Sequence, residues 1–388
     1  MKASFIPAQN GLVLARALTL AAATALSAAS SWSAETHHYK VIDLGELSGA
    51  GLNNAGQVVG VRDVAGEGRR GFVWDATRGF QEISTGAGRD TVASAISGKG
   101  LVVGYSYGTV AGSDSRETPF VWSQSGGMRQ IDLPASALYG KAVGVNNNGT
   151  VLLQLGFSDV KGIANSTYTW TEQGGLKPVL QGTPGSQGYT PIAINDGGSI
   201  AGYNSDSVPP GAFVHQADGT KVELGTPGGR WSGPAGINSQ GWVVGTGAIA
   251  EQREVCTPVG CEMEDIAHAF IWNKERGLID LDAGNAAATS YGEGINNLGQ
   301  VVGLTVGKGA FLWENGEKTF INGLLLDDRF ELQTARAIND QGLILAFSTD
   351  GHTLLLSPAP EPETVALFLA GIAVLGWQAR RRRPAEAG

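Results

Sequence analysis

Gly104-Tyr105-Ser106-Tyr107-Gly108 spells the G-x-S-x-G string that presents a serine nucleophile in α/β-hydrolases. That string works only on a strained strand-to-helix turn, and here it follows a β-rich segment with no helical pattern after it. Gly245-Thr246-Gly247-Ala248-Ile249-Ala250 loosely matches a dinucleotide loop but lacks a strand–helix–strand context. Cys256 and Cys261 are the only cysteines. In an exported chain such a pair reads as a disulfide pinning a loop, with metal binding beside Glu262, Glu264 or His268 as the alternative. The five histidines are too scattered for a metal cage. Asn146-Asn147-Asn148-Gly149 and Asn195-Asp196-Gly197-Gly198 lack the alternating carboxylates of a calcium loop. Asp43, Asp132 and Asp280 close β-rich segments, where solvation or turn bonding suits them. No catalytic, cofactor-binding or metal residue is therefore assigned, and no cofactor is expected.

The elements carrying these residues recur. The fullest copy runs Gly294-Ile295-Asn296-Asn297-Leu298-Gly299-Gln300-Val301-Val302-Gly303, then Gly309-Ala310-Phe311-Leu312-Trp313. Others begin at Leu52-Asn53, Ile96-Ser97, Val145-Asn146, Ile194-Asn195, Ile237-Asn238 and Ile338-Asn339, making seven. A spacing of about 40 to 60 residues means stacked supersecondary units. Each copy reads as four short strands joined by Gly-containing turns, as in Ala93–Ile96, Leu101–Gly104, Pro119–Trp122 and Arg129–Leu133. The Asn of Ile-Asn is expected to bond backbone two residues on and so close the first turn.

The third strand carries an aromatic at i and usually Trp at i+2: Phe72 and Trp74, Phe120 and Trp122, Tyr168 and Trp170, Phe270 and Trp272, Phe311 and Trp313. Period-two spacing puts both rings on one face, and recurrence once per copy points to packing between neighbouring units. His215 takes the Trp slot of copy four and reads as a core variant. Small residues precede the Ile of each first strand, as an innermost strand near an axis requires. Copy seven ends after its third strand, Thr353–Leu356, and the missing fourth stands ahead of copy one as Val41-Ile42-Asp43-Leu44-Gly45. That complementary deficit predicts an all-β, seven-bladed propeller of four-stranded blades over residues 39–357, closed by an N-terminal strand. An open β-solenoid is the alternative. In copy three Gln154 follows Val151-Leu152-Leu153, so a distorted blade is expected there.

Glycine supplies 58 of 388 residues and charged residues only 16%, which suits short strands and tight turns. The net charge is −9, and several basic residues lie in the terminal segments, so the body is more acidic still. An acidic surface without a basic stripe argues against nucleic acid as a partner. Residues 1–34 carry Lys2 and Arg16, a short apolar run and a small-residue exit, the pattern of a secretory signal peptide. Residues 358–388 carry Pro360-Glu361-Pro362, an apolar run from Val365 to Trp377 read as a transmembrane sorting helix, then Arg380, Arg381, Arg382 and Arg383. The arginines place the body outside the inner membrane.

This tail resembles the PEP-CTERM sorting signal of Gram-negative bacteria. The resemblance implies recognition near Pro360-Glu361-Pro362 by an exosortase, transient anchoring in the inner membrane, and delivery to the periplasm, cell surface or extracellular matrix. Over residues 39–357 the Ile-Asn-x-x-Gly, aromatic-x-Trp and Asp-Leu elements resemble the HAF family of extracellular repeats, whose name-giving triplet stands here as His268-Ala269-Phe270. The family implies no activity, catalytic residue or cofactor. The expectation is a non-enzymatic surface or matrix protein binding a polysaccharide or envelope protein through a propeller face, chiefly by the longer links between second and third strands (Tyr105 to Glu117, Phe157 to Ser166, and the Cys256–Cys261 insertion). A secreted glycan hydrolase or lyase is the alternative, and it would need carboxylates converging in the axial funnel.

Overall fold

The computed structural model describes residues 38–359 apart from 86–88, 109–115, 160–161, 184, 186–187 and 258–259. The signal peptide, the Pro360-Glu361-Pro362 motif, the apolar run and Arg380 to Arg383 lie outside the described residues. Seven four-stranded antiparallel sheets follow one another along the chain. Blades one to six occupy 48–83, 89–130, 137–180, 189–223, 232–280 and 290–320. Blade seven takes three strands from 332–358 and its outermost strand, Tyr39–Asp43, from the start of the described chain. Tyr39 pairs with Pro358 and Asp43 with Leu354, so the ring closes by strand pairing as the deficit in copy seven predicted. Contacts between the innermost strands of blades one and seven complete the circle, which excludes the open solenoid. Among the described residues the only helix is one 3-10 turn, Ile321–Leu324.

The blades pack through the third-strand aromatics. Phe72, Phe120, Phe213, Phe270 and Phe311 are each fully buried. Phe72 and Trp74 sit with Leu345 and Leu355 of blade seven, and Phe120 with Val59 and Val73 of blade one. Phe270 and Trp272 sit with Ala201 and Val214 of blade four, and Phe311 with Val244 and Ile271 of blade five. Each of these four phenylalanines thus seals one blade against its predecessor, contributing on the order of 2–3 kcal/mol by area.

The glycine of Val-Val-Gly follows from that packing. Gly60, Gly104, Gly202, Gly245 and Gly303 stand directly opposite those five phenylalanines. A Cβ on Gly104 would lie 1.9 Å from the Val92 carbonyl oxygen and 2.8 Å from Phe120 Cζ. Where the glycine is absent the phenylalanine is absent too: Leu153 faces Tyr168, and Ala346 faces Leu354. Ring and missing side chain are two halves of one fit.

Blade three carries the irregularity expected of it. Its second and third strands, Val151–Asp159 and Gly162–Thr171, pair without a break, Gln154 opposite Thr167, but its third and fourth slip register between Thr167 and Tyr168, and its first and second slip at Ala137/Tyr139 as well as at Ala142/Gly144. Leu153 replaces the glycine, and the facing Tyr168 is only partly buried. One expectation is corrected: the insertions of copies three and five are not loops. Phe157 pairs with Ala164, and in blade five Gln252 to Thr257 pair with Asp265 to Gly260, so both extend the second and third strands as two-stranded arms. Backbone pairing satisfies the arm's peptide groups where both faces meet water.

Candidate functional site

The Ile-Asn residues meet at one mouth of the axial channel. Each Asn side chain acts in two directions. Its Oδ1 accepts from its own turn: Asn53 from Ala55 N and Gln57 N, Asn339 from Gln341 N and Leu343 N, at 2.9–3.0 Å. Its Nδ2 donates to the backbone carbonyl of the equivalent residue in the next blade. The six links, Asn53 to Ser97, Asn146 to Asn195, Asn195 to Asn238, Asn238 to Asn296, Asn296 to Asn339 and Asn339 to Asn53, span 2.9–3.0 Å. Ser97 has no amide to give, and at that junction Gly98 N donates to Asn147 Oδ1 instead. A second tier repeats the idea: Asp340 accepts from Asn297 and Asn54, and Asp196 from Asn147. The turn role was legible in the sequence; the link between blades was not. A cavity of about 200 Å³ lies at this mouth. The seven residues before the motif's Asn or Ser, Leu52 to Ile338, line both this cavity and the next, so an apolar ring divides the channel.

Beyond that ring a cavity of about 510 Å³ opens toward the opposite face. Its wall is built by a recurring irregularity. Every innermost strand slips register by one residue against its neighbour, as between Ala93 and Ala95 or Gly292 and Gly294. The residue left unpaired by each bulge lines the cavity: Ala50, Ser94, Val143, Ile192, Ala235, Glu293 and Arg336 in blade order. Two adjacent positions are thus charged. Glu293 Oε2 lies 3.6 Å from Arg336 Nη1, and the arginine side chain is 51% exposed. Glu293 is the one carboxylate among the residues lining this cavity.

The face onto which this cavity opens also bears the links between second and third strands. Cys256 and Cys261 are paired across the blade-five arm and joined as a disulfide. Glu254 is the carboxylate beside them, not Glu262 or Glu264, and the bonded sulfurs leave no thiolate for a metal. At the arm's base Asp265 accepts from Gln252, Arg230 and Trp231, and these bonds hold its carboxyl below the usual range. In blades three to six the same links expose one aliphatic residue each: Ile163, Val208, Met263 and Val306, all more than half exposed.

The remaining candidates are structural. Ser106 is fully buried inside the strand Val102–Gly108, the second of blade two, and not on a strand-to-helix turn, so the nucleophile reading does not fit its setting. Gly245 and Gly247 lie within a strand as well. His268 is buried with Nδ1 2.8 Å from Asp280, far along the strand from the disulfide. His215 ends a strand opposite Lys221, and burial lowers its pKa. Asp43 accepts from Gly45 N and contacts His352 at 2.9 Å, Asp280 accepts from Asp282 N, and Asp132 is exposed.

Residues 358–383 match the PEP-CTERM protein-sorting motif. The motif implies an exported protein with a membrane-associated sorting signal, processed by an exosortase. Among the described residues no helix is long and apolar enough to cross a membrane. No curated protein matches the chain. Solved propellers resemble it at low identity. TolB from Acinetobacter baumannii is 12% identical over 82% of this chain, TM-score 0.40, and the chain spans 65% of TolB. YCF48 bound to a D1 peptide is 10% identical, covering 83% of this chain and 97% of its own, TM-score 0.48. An oligogalacturonate lyase in complex with manganese is 12% identical, covering 84% and 91%, TM-score 0.47. The chain spans 49% of a Porphyromonas gingivalis dipeptidyl peptidase 4, which is 11% identical over 76% of this chain, TM-score 0.40.

Proposed function

We propose that this chain is a non-enzymatic propeller of the HAF repeat type, exported to the surface or matrix of a Gram-negative envelope, that holds a polysaccharide or envelope partner on its second-to-third-strand face. One observation carries the reading. Four consecutive blades present an exposed aliphatic residue at that face, Ile163, Val208, Met263 and Val306, beside the disulfide-tipped arm. One exposed apolar side chain per blade, carried on scaffolded links of one type, supports recognition at that face. The opposite face supports the assignment by contrast, since its repeated Asn side chains already donate to backbone carbonyls of the next blade.

The test replaces Gln252 to Glu264 with an Asn-Gly turn and, separately, combines Ile163→Ser, Val208→Ser and Val306→Ser. Binding is read on a glycan array and on washed envelope fractions. Wild type is expected to bind one of these, and both variants to bind it at least tenfold more weakly with unchanged thermal unfolding. Equal binding by both variants would remove this face from consideration.

A further inference from the structure

Resting on the binding reading above, we infer that the 510 Å³ cavity is a seat for the end of an uncharged sugar chain, with Glu293 and Arg336 as its polar contacts. The volume lies within the roughly 300–1,000 Å³ usual for ligand pockets, in which a few placed polar side chains fix orientation. Here the charged side chains stand on one side only. Around the ring of innermost strands, blade three stands across from the junction of blades six and seven. Val143 therefore faces the Glu293–Arg336 pair, with Ser94 and Ile192 on either side.

The chemistry of the pair selects the ligand class. The two charges offset each other, so neither a free anion nor a free cation is favoured. At 3.6 Å they fall outside hydrogen-bond distance, which leaves guanidinium donors and carboxylate lone pairs open side by side. Adjacent hydroxyls match that surface, one donating to Glu293 and one accepting from Arg336. The C–H face of the same ring would rest on Val143 and Ile192. The aliphatic ring from Leu52 to Ile338 closes off the alternative of a threaded chain, because hydroxyls passing it would lose water and find no partner. Only an end can be seated.

The test titrates the purified protein with neutral oligosaccharides of gluco, manno and galacto configuration, with a uronate oligosaccharide and a zwitterionic dipeptide as comparisons. At least one neutral series is expected to bind. Glu293→Gln and Arg336→Gln should each weaken it about tenfold or more, as loss of a hydrogen bond to a charged group does. Ile192→Phe should block it by filling the cavity, and truncating the blade-five arm should leave binding of a disaccharide, too short to reach the rim, unchanged. Tighter binding of the dipeptide or the uronate, or neutral binding indifferent to all three cavity variants, overturns the seat. Glycan or envelope binding lost with the arm but kept in the cavity variants overturns the seat while leaving the binding face standing. Failure of the wild type to bind any glycan or envelope fraction overturns both.

Discussion

Asn339→Ala at the closing junction tests the asparagine ring most directly. Asn339 is 4% exposed, and its side chain makes three bonds: from Gln341 N, from Leu343 N and to the Asn53 carbonyl. Alanine removes all three from a buried site. At about 1 kcal/mol for each neutral bond, the expected loss is about 3 kcal/mol. The chain also carries a natural intermediate. Ser97 keeps one turn bond, its Oγ accepting from Leu101 N at 3.1 Å, but has no amide to donate. Asn339→Ser should therefore lose about 2 kcal/mol, and Ser97→Asn, which supplies the seventh link, should gain about 1 kcal/mol. Urea unfolding followed by tryptophan fluorescence, with linear extrapolation, resolves differences of this size. Asn339→Ala within about 0.5 kcal/mol of wild type, or a destabilising Ser97→Asn, would refute the ring as a stabilising device.

The Gly–Phe pairing is expected to couple: Gly104→Ala should destabilise by several kcal/mol through the Val92 carbonyl and the Phe120 ring, and because Phe120→Leu relieves the second contact, the double mutant should cost at least about 1 kcal/mol less than the two single changes summed, as measured by a double-mutant cycle. The latch of the closing strand titrates at both ends. Its bond to Asp43 raises His352 above 6.5; burial alone would raise Asp43, but bonds from His352 and Gly45 hold it below 3.8. The charged pair thus contributes from the acid side up to His352's raised pKa. It is lost as pH rises through that value, and at the acid end as pH falls through Asp43's lowered one. NMR titration of His352 and a flatter stability profile in His352→Gln check the sign. Reducing Cys256–Cys261 should speed amide exchange in residues 250–265 and leave the global unfolding free energy within about 0.5 kcal/mol, because the arm lies outside the blade-to-blade core.

Most of the fold was legible because its signals are local and repeated. Turn chemistry at Asn and Gly, period-two aromatics, and the strand missing after Leu356 but present at Val41 needed no knowledge of distant contacts. What escaped reading depends on partners far along the chain. The Nδ2 of Asn238 meets a backbone carbonyl 58 residues away, and a carbonyl leaves no mark in sequence. The blade-five arm reads as a loop because Gln252 to Thr257 and Gly260 to Glu264 are almost all exposed on both faces, so no apolar alternation marks them as strands. The bulged residues hid for another reason. Ala50, Ser94, Val143, Ile192, Ala235, Glu293 and Arg336 share a position but no residue type.

That last point bears on where this chain can differ from another of the same architecture. A bulged residue has no cross-strand partner, so the ladder does not fix its type, although Val143 and Ala235 also touch the apolar clusters between blades. Glu293 and Arg336 belong to neither the Phe–Gly fit nor the asparagine ring, and changing them leaves both intact. Glu293 and Arg336 show the freedom in use: two charges stand at the axis of the fold, each offsetting the other, where a paired or interblade position would have demanded an apolar side chain. The second-to-third-strand links have the same freedom at the rim that the bulges have at the centre. Because both open on one face, a ligand seated against Glu293 and Arg336 would leave the cavity past Ile163, Val208, Met263 and Val306, and the two sets of variable residues would be read by one partner.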